Sequence, residues 1–189
     1  VLKNPDYANT LAQLSQSGAS AFYGGALSKA IVEKVTGHPT NAGVLSQKDF
    51  DTYRVVERPP VCAAYRAHSV CGMGPPSSGA LTVGQILGTL EAYDLAQLGK
   101  DNPQSWRLIG DASRLAFADR GRYMADSDFV PMPTQGLIEP AYLTERAKLL
   151  SGDKALEKVT PGNPVFEFSR SRLGKSDHRN LVYRQFALY

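Results

Sequence analysis

The chain has 189 residues, 42% hydrophobic and 21% charged; the length suits one domain, with room for two, and the balance excludes disordered and collagen-like chains. The net charge of +3 does not mark a nucleic-acid binder, because Glu167–Tyr189 holds five basic residues (Arg170, Arg172, Lys175, Arg179, Arg184) against two acidic ones (Glu167, Asp177) and so carries the whole surplus. The longest uncharged stretch, Ala67 to Leu90, contains Pro75, Pro76 and five glycines, which excludes a membrane span, and Val1 to Gly18 lacks the features of a signal peptide.

In chain order the pattern is dominated by helices. Asn4-Pro5 supplies an N-cap and a first-turn proline, Leu11 and Leu14 share a face, and Gly18 stops the helix. A second helix is predicted from about Gly25 to Val35, ending at Gly37-His38-Pro39. Ser46-Gln47-Lys48-Asp49 reads as a capping box that opens a short third helix. Strand signal is confined to Tyr53–Val56 and to the pair Val61–Tyr65 and His68–Met73, a hairpin turning at Arg66-Ala67. Further helices are predicted from Ser78 to about Leu98, from about Pro103 to Met124, and from about Pro140 to Leu150, with Gly152 as the stop. A lone two-stranded ribbon among helices is marginal in water, so the pattern suggests that part of the fold lies outside this chain.

A two-residue turn at Arg66-Ala67 sets the register of the hairpin. Tyr65 faces His68, Ala63 faces Val70, and Cys62 faces Cys71. Directly opposed residues have Cα atoms about 4.5 or 5.5 Å apart, within reach of a disulfide. Two readings of the pair stand side by side, a bond and two buried thiols acting as small hydrophobes.

Few motifs carry chemistry. His38, His68 and His178 are scattered, so no metal site is expected, and there is no nucleophile elbow, phosphate loop or dinucleotide fingerprint. Pro75-Pro76-Ser77-Ser78-Gly79 stands out. Two prolines hold the chain extended, a serine is placed to cap the next helix, and the N–H groups near Ser77, Ser78 and Gly79 are candidates to receive a carboxylate or an oxyanion. The other reading is an ordinary capped helix start. Asp119 and Arg120, with Asp126 and Asp128 beyond them, form a charged cluster that either binds a zwitterion or, as favoured here, fixes a helix end.

Several segments in order resemble the large subunit of γ-glutamyltranspeptidases. They are Gly18-Ala19-Ser20-Ala21-Phe22-Tyr23-Gly24-Gly25, Leu45-Ser46-Gln47-Lys48-Asp49-Phe50 with Tyr53, Arg58-Pro59-Pro60, Tyr65-Arg66, Pro75–Gly79, Ala118-Asp119-Arg120 and Asp126–Val130. Gly74 stands where the family usually has a third proline, and Ala80 where it has a second glycine. The resemblance implies an α+β, helix-rich piece with a short β-hairpin, part of a four-layer αββα N-terminal nucleophile hydrolase. Such a precursor cuts itself to expose a threonine whose free amine serves as its base. The implied activity is glutathione hydrolysis or γ-glutamyl transfer to amino acids through an acyl-enzyme, without cofactor or metal. A related acylase acting on β-lactam side chains and a non-catalytic module that only packs against a partner are the alternatives.

The resemblance places no catalytic residue on this chain, so the chain alone is expected to be inactive. It implies a small, nucleophile-bearing subunit as partner and a periplasmic or extracellular setting, which would permit a Cys62–Cys71 bond. Pro75, Pro76, Asp119, Arg120 and Asp126 are expected to be structural. The resemblance covers residues 1–166. Residues 167–189 are an unmatched tail, whether an artificial appendage, a frame change or a natural divergent end, and are expected to pack little.

Overall fold

Prolines and glycines set the ends of most helices. A computed structural model of the chain describes residues 2–166; the expectations for the tail at 167–189, and His178, lie outside the described residues. Two compact units divide at Glu57 and Arg58, and each is described by itself.

The first unit holds α1 (Pro5–Ser17), α2 (Ala19–Tyr23), α3 (Ala26–Thr36) and α4 (Gln47–Thr52). The Asn4 side chain accepts from the Tyr7 N–H at 3.0 Å, and Gly18 ends α1 at φ 63, where a side chain would be strained. The short α2 was not legible in the apolar spacing. The capping box is present, with the Ser46 N–H donating to Asp49 at 2.8 Å. That bond first, and the Ser46 hydroxyl second, hold the Asp49 carboxyl below its ordinary value of 3.8. A depressed value means that the cap's contribution is present above pH 3.8 and is lost as pH falls through the folded value. The expected outcome is fraying at the start of α4 in acid, read from the Ser46 amide resonance. Phe22 meets Tyr23 and Phe50 edge-on, and Tyr23 stacks on Tyr53 with ring centroids 5.4 Å apart. Ser28 is the unit's one fully buried residue among those described.

The expected strand at Tyr53–Val56 does not form. Tyr53 ends α4, and Val55 and Val56 are exposed with no strand beside them. Strand propensity describes a fit to a pleated, half-buried surface, and none is offered here.

In the second unit β1 (Val61–Tyr65) and β2 (His68–Gly72) form an antiparallel ribbon in the expected register, Cys62 opposite Cys71. Val61, Ala63, Tyr65, Val70 and Gly72 point to its half-buried face. Gly84 of α5 (Gly79–Leu90) lets that face lie close, since a Cβ there would sit 2.9 Å from that of Ala63. Arg66, the first turn residue, has φ 53. Its guanidinium donates to the carbonyls of Glu91 at 3.3 Å and Tyr93 at 2.6 Å, so the hairpin tip closes the C-terminal end of α5.

The helix expected from Ser78 to Leu98 is therefore broken. Asp94 accepts from the Gln97 N–H at 3.0 Å and starts a separate short helix, α6 (Leu95–Leu98). Next come α7 (Pro103–Tyr123), a 3-10 turn at Gly136–Ile138, and α8 (Pro140–Lys148). Leu90, Leu108, Ala112, Leu115 and Leu150 form the core, with Ile86, Ile109, Leu156 and Val159 packed against it. Each leucine buried in full contributes about 1.5–3 kcal/mol.

Candidate functional site

The Pro75–Gly79 segment leads out of β2 into α5 and meets the C-terminal half of α7. Ser78 occupies the N-cap position of α5 but makes no side-chain cap, because its own backbone is already helical (φ −89, ψ −7). Its Oγ accepts from Arg120 Nε at 2.8 Å instead. The local turn is closed by Ser77, whose Oγ accepts from the Gly79 N–H at 3.3 Å. Thus Ser77, Ser78, Gly79 and Arg120 are brought together, and of the two serines it is Ser77 that accepts from an N–H at the helix start. A serine oxygen that accepts from a permanently protonated guanidinium has no base there to activate it.

Asp119 lies one residue from this contact and is 1% exposed. Its Oδ2 accepts from Gln85 Nε2 at 2.8 Å and from the Tyr142 hydroxyl at 2.6 Å. Its Oδ1 accepts from the Gly162 N–H at 2.7 Å and from Arg146 at 3.4 Å. Burial, and then the bond to Asp119, push the Tyr142 hydroxyl well above the usual tyrosine range, so it stays a donor. The carboxylate ties α5, α7, α8 and the chain at Gly162 together.

A second buried carboxylate, Asp111, was not singled out in the sequence. Its Oδ1 meets Arg114 at 2.9 Å and its Oδ2 accepts from the Leu156 N–H at 3.0 Å. Further side chains of α7 continue the pattern. Gln104 donates to the Asp153 carbonyl at 2.8 Å, Arg107 to that of Leu150 at 3.2 Å, Arg114 to that of Glu157 at 3.4 Å, and Tyr123 to that of Gly162 at 2.6 Å. A stretch without regular structure is therefore held along α7 by side chains spaced three to five residues apart.

Asp126 caps its own turn by accepting from the Asp128 N–H at 2.9 Å, and Asp128 pairs with Arg58 through two bonds of 3.1 and 2.5 Å. Cys62 and Cys71 are joined in a disulfide, S–S 2.06 Å, Cα atoms 4.1 Å apart. His38 accepts from the Asn41 N–H at 3.1 Å and closes a turn.

A sequence profile of the family described as Gamma-glutamyltranspeptidase matches residues 1–180. The chain belongs to the γ-glutamyltranspeptidase family. It is 36% identical over 150 residues to the acylase ACY 1 proenzyme of Pseudomonas sp. (strain V22), covering 79% of this chain and 26% of that protein. It is 31% identical over 164 residues to the glutathione hydrolase proenzyme of Escherichia coli (strain K12), covering 87% of this chain and 27% of that protein. The crystal structure of Helicobacter pylori gamma-glutamyltranspeptidase superposes with a TM-score of 0.68 at 34% identity, over 84% of this chain and 45% of that one. The chain thus spans about a quarter of the length of these curated relatives. As a member of the γ-glutamyltranspeptidase family it is a helix-rich α+β piece of the four-layer αββα N-terminal nucleophile hydrolase fold. No helix among its described residues is long and apolar enough to cross a membrane.

Proposed function

We propose that this chain is large-subunit material of an enzyme that moves the γ-glutamyl group of glutathione to water or to an amino acid through a threonine acyl-enzyme, with the threonine carried by a small subunit of the same precursor. The family match across residues 1–180 carries this reading. Ser77 and Ser78, its candidate contacts for a carboxylate or oxyanion, are engaged by Gly79 and Arg120, which favours a supporting role for the Pro75–Gly79 segment. The first unit, with one buried residue among those described and Leu2, Val44, Val55 and Val56 exposed, presents apolar surface suited to burial by a larger fold. A periplasmic or extracellular setting fits the Cys62–Cys71 disulfide.

The purified 189-residue chain is expected to release no product from a γ-glutamyl anilide, and co-expression with the matching remainder of the precursor is expected to restore turnover. Activity of the chain alone, surviving purification and inhibitor controls, would overturn the assignment of the nucleophile to a separate subunit. Identity to the ACY 1 acylase also supports a β-lactam side-chain acylase. The reconstituted enzyme offered both substrates separates the two readings, and the γ-glutamyl anilide is expected to be the faster.

A further inference from the structure

The ribbon has two unlike faces. Val61, Ala63, Tyr65, Val70 and Gly72 are half-buried, whereas Cys62, Ala64, Ser69 and Cys71 are all exposed on the other side. Cysteine is among the most frequently buried residue types, so a disulfide with both partners in solvent is unusual. Its neighbours toward the turn on the same face, Ala64 and Ser69, are small and are themselves exposed. Counting from the two-residue turn, Cys62 and Cys71 form a pair that the ladder's hydrogen bonds do not bracket. The bond can therefore open without breaking the ladder.

The two sulfurs also differ. Ser69 Oγ lies 3.6 Å from Cys71 Sγ, within hydrogen-bonding reach of sulfur. Neutral in the disulfide, that sulfur becomes an anion if it leaves, and a hydroxyl donor beside it then gains a charge-assisted bond. Among the described residues no such hydroxyl contact is made to Cys62 Sγ.

We propose that Cys62–Cys71 is a thiol-exchange site for low-molecular-weight thiols, with Cys62 the sulfur attacked and Cys71 the leaving group. The thiolate of the small molecule attacks Cys62 Sγ along the S–S axis. A mixed disulfide forms at Cys62, the Cys62–Cys71 bond breaks, and its electron pair leaves on Cys71 as a thiolate that accepts from the Ser69 hydroxyl. A second thiolate attacking the small molecule's own sulfur in the mixed disulfide expels Cys62 as a thiolate and carries off the small-molecule disulfide, whereas attack of the Cys71 thiolate on Cys62 Sγ expels the small thiolate and restores the protein bond. Complete reduction consumes two small thiols, yields their disulfide, and leaves both cysteines as thiols. Ser69 is a positioning residue for the leaving sulfur.

The test uses the oxidised 189-residue chain with reduced glutathione as the probe, acid quenching, alkylation and peptide mapping. The expected result is one glutathione per chain, attached to Cys62, with Cys71 free to alkylate, while the far-ultraviolet circular dichroism is retained. Ser69→Ala is expected to slow adduct formation about threefold, as loss of a weak hydrogen bond does, and to spread the adduct over both cysteines. Ser69→Thr should restore rate and position. Failure to form an adduct unless the chain is first unfolded in urea would overturn the site. An adduct found mainly on Cys71, or a partition that Ser69→Ala leaves unchanged, would overturn the assigned direction.

Discussion

Asp119→Ala is expected to destabilise the second unit by about 3–5 kcal/mol, the cost of removing one partner from a buried ion pair. The carboxylate is 1% exposed and receives Gln85, Tyr142, Arg146 and the Gly162 N–H. Its removal takes this acceptor from Gln85, Tyr142 and the Gly162 N–H, and leaves Arg146, itself 7% exposed, with the Leu115 and Thr160 carbonyls and no counter-charge from Asp119. Asp119→Asn keeps the shape but turns an amide N–H₂ toward groups that are themselves donors, and should cost about 1–3 kcal/mol. Tyr142→Phe removes one donor and leaves the carboxylate satisfied by the others, for a loss of about 1 kcal/mol. Urea midpoints of the three variants should fall in that order, largest loss first. An unchanged midpoint for Asp119→Ala would show that the carboxylate holds nothing together.

Gly136→Val is the second large effect, expected at about 3 kcal/mol. A Cβ at Gly136 would land on the carbonyl oxygen of Val165, with the Val165 nitrogen 3.0 Å away. Both are main-chain atoms and cannot swing aside as the end of a side chain can, so the 163–166 stretch must lift from the 3-10 turn. Limited proteolysis near Val165 is the direct readout, with the melting temperature beside it. Gly110→Ala makes the contrast. Nothing lies within 4 Å of a Cβ there, and Gly110 is in the exposed interior of α7. A gain of about 0.5–1 kcal/mol is expected, from helix propensity alone.

How much of this was legible in the sequence depended on the range of the interaction. Helix starts written in adjacent residues were readable, as at Asn4-Pro5 and in the Ser46–Asp49 box, and so was the Cys62–Cys71 register, which needs only the turn length. The break between α5 and α6 was missed because Leu95 and Leu98 continue the apolar spacing across it. Asp94, an N-cap residue in plain view, was the available signal. The bond from Arg120 to Ser78 had no local sign, because Arg120 comes 42 residues later. Asp119 was singled out by its neighbours in sequence, but Gln85, Tyr142, Arg146 and Gly162 lie 23 to 43 residues away and have no local signature. Asp111 had the readable clue of Arg107 and Arg114 one turn to either side.

The row of side chains along α7 has a further consequence, for what the chain can tolerate. Surface connections usually accept an extra residue by bulging outward. Between Leu156 and Gly162 that freedom is missing, because Asp111 fixes one end and Asp119 with Tyr123 fixes the other. An insertion or deletion there could keep one anchorage only by giving up the other. The stretch behaves as a gauge of set length, and substitutions that leave its backbone in place should be accepted where a change in residue number is not.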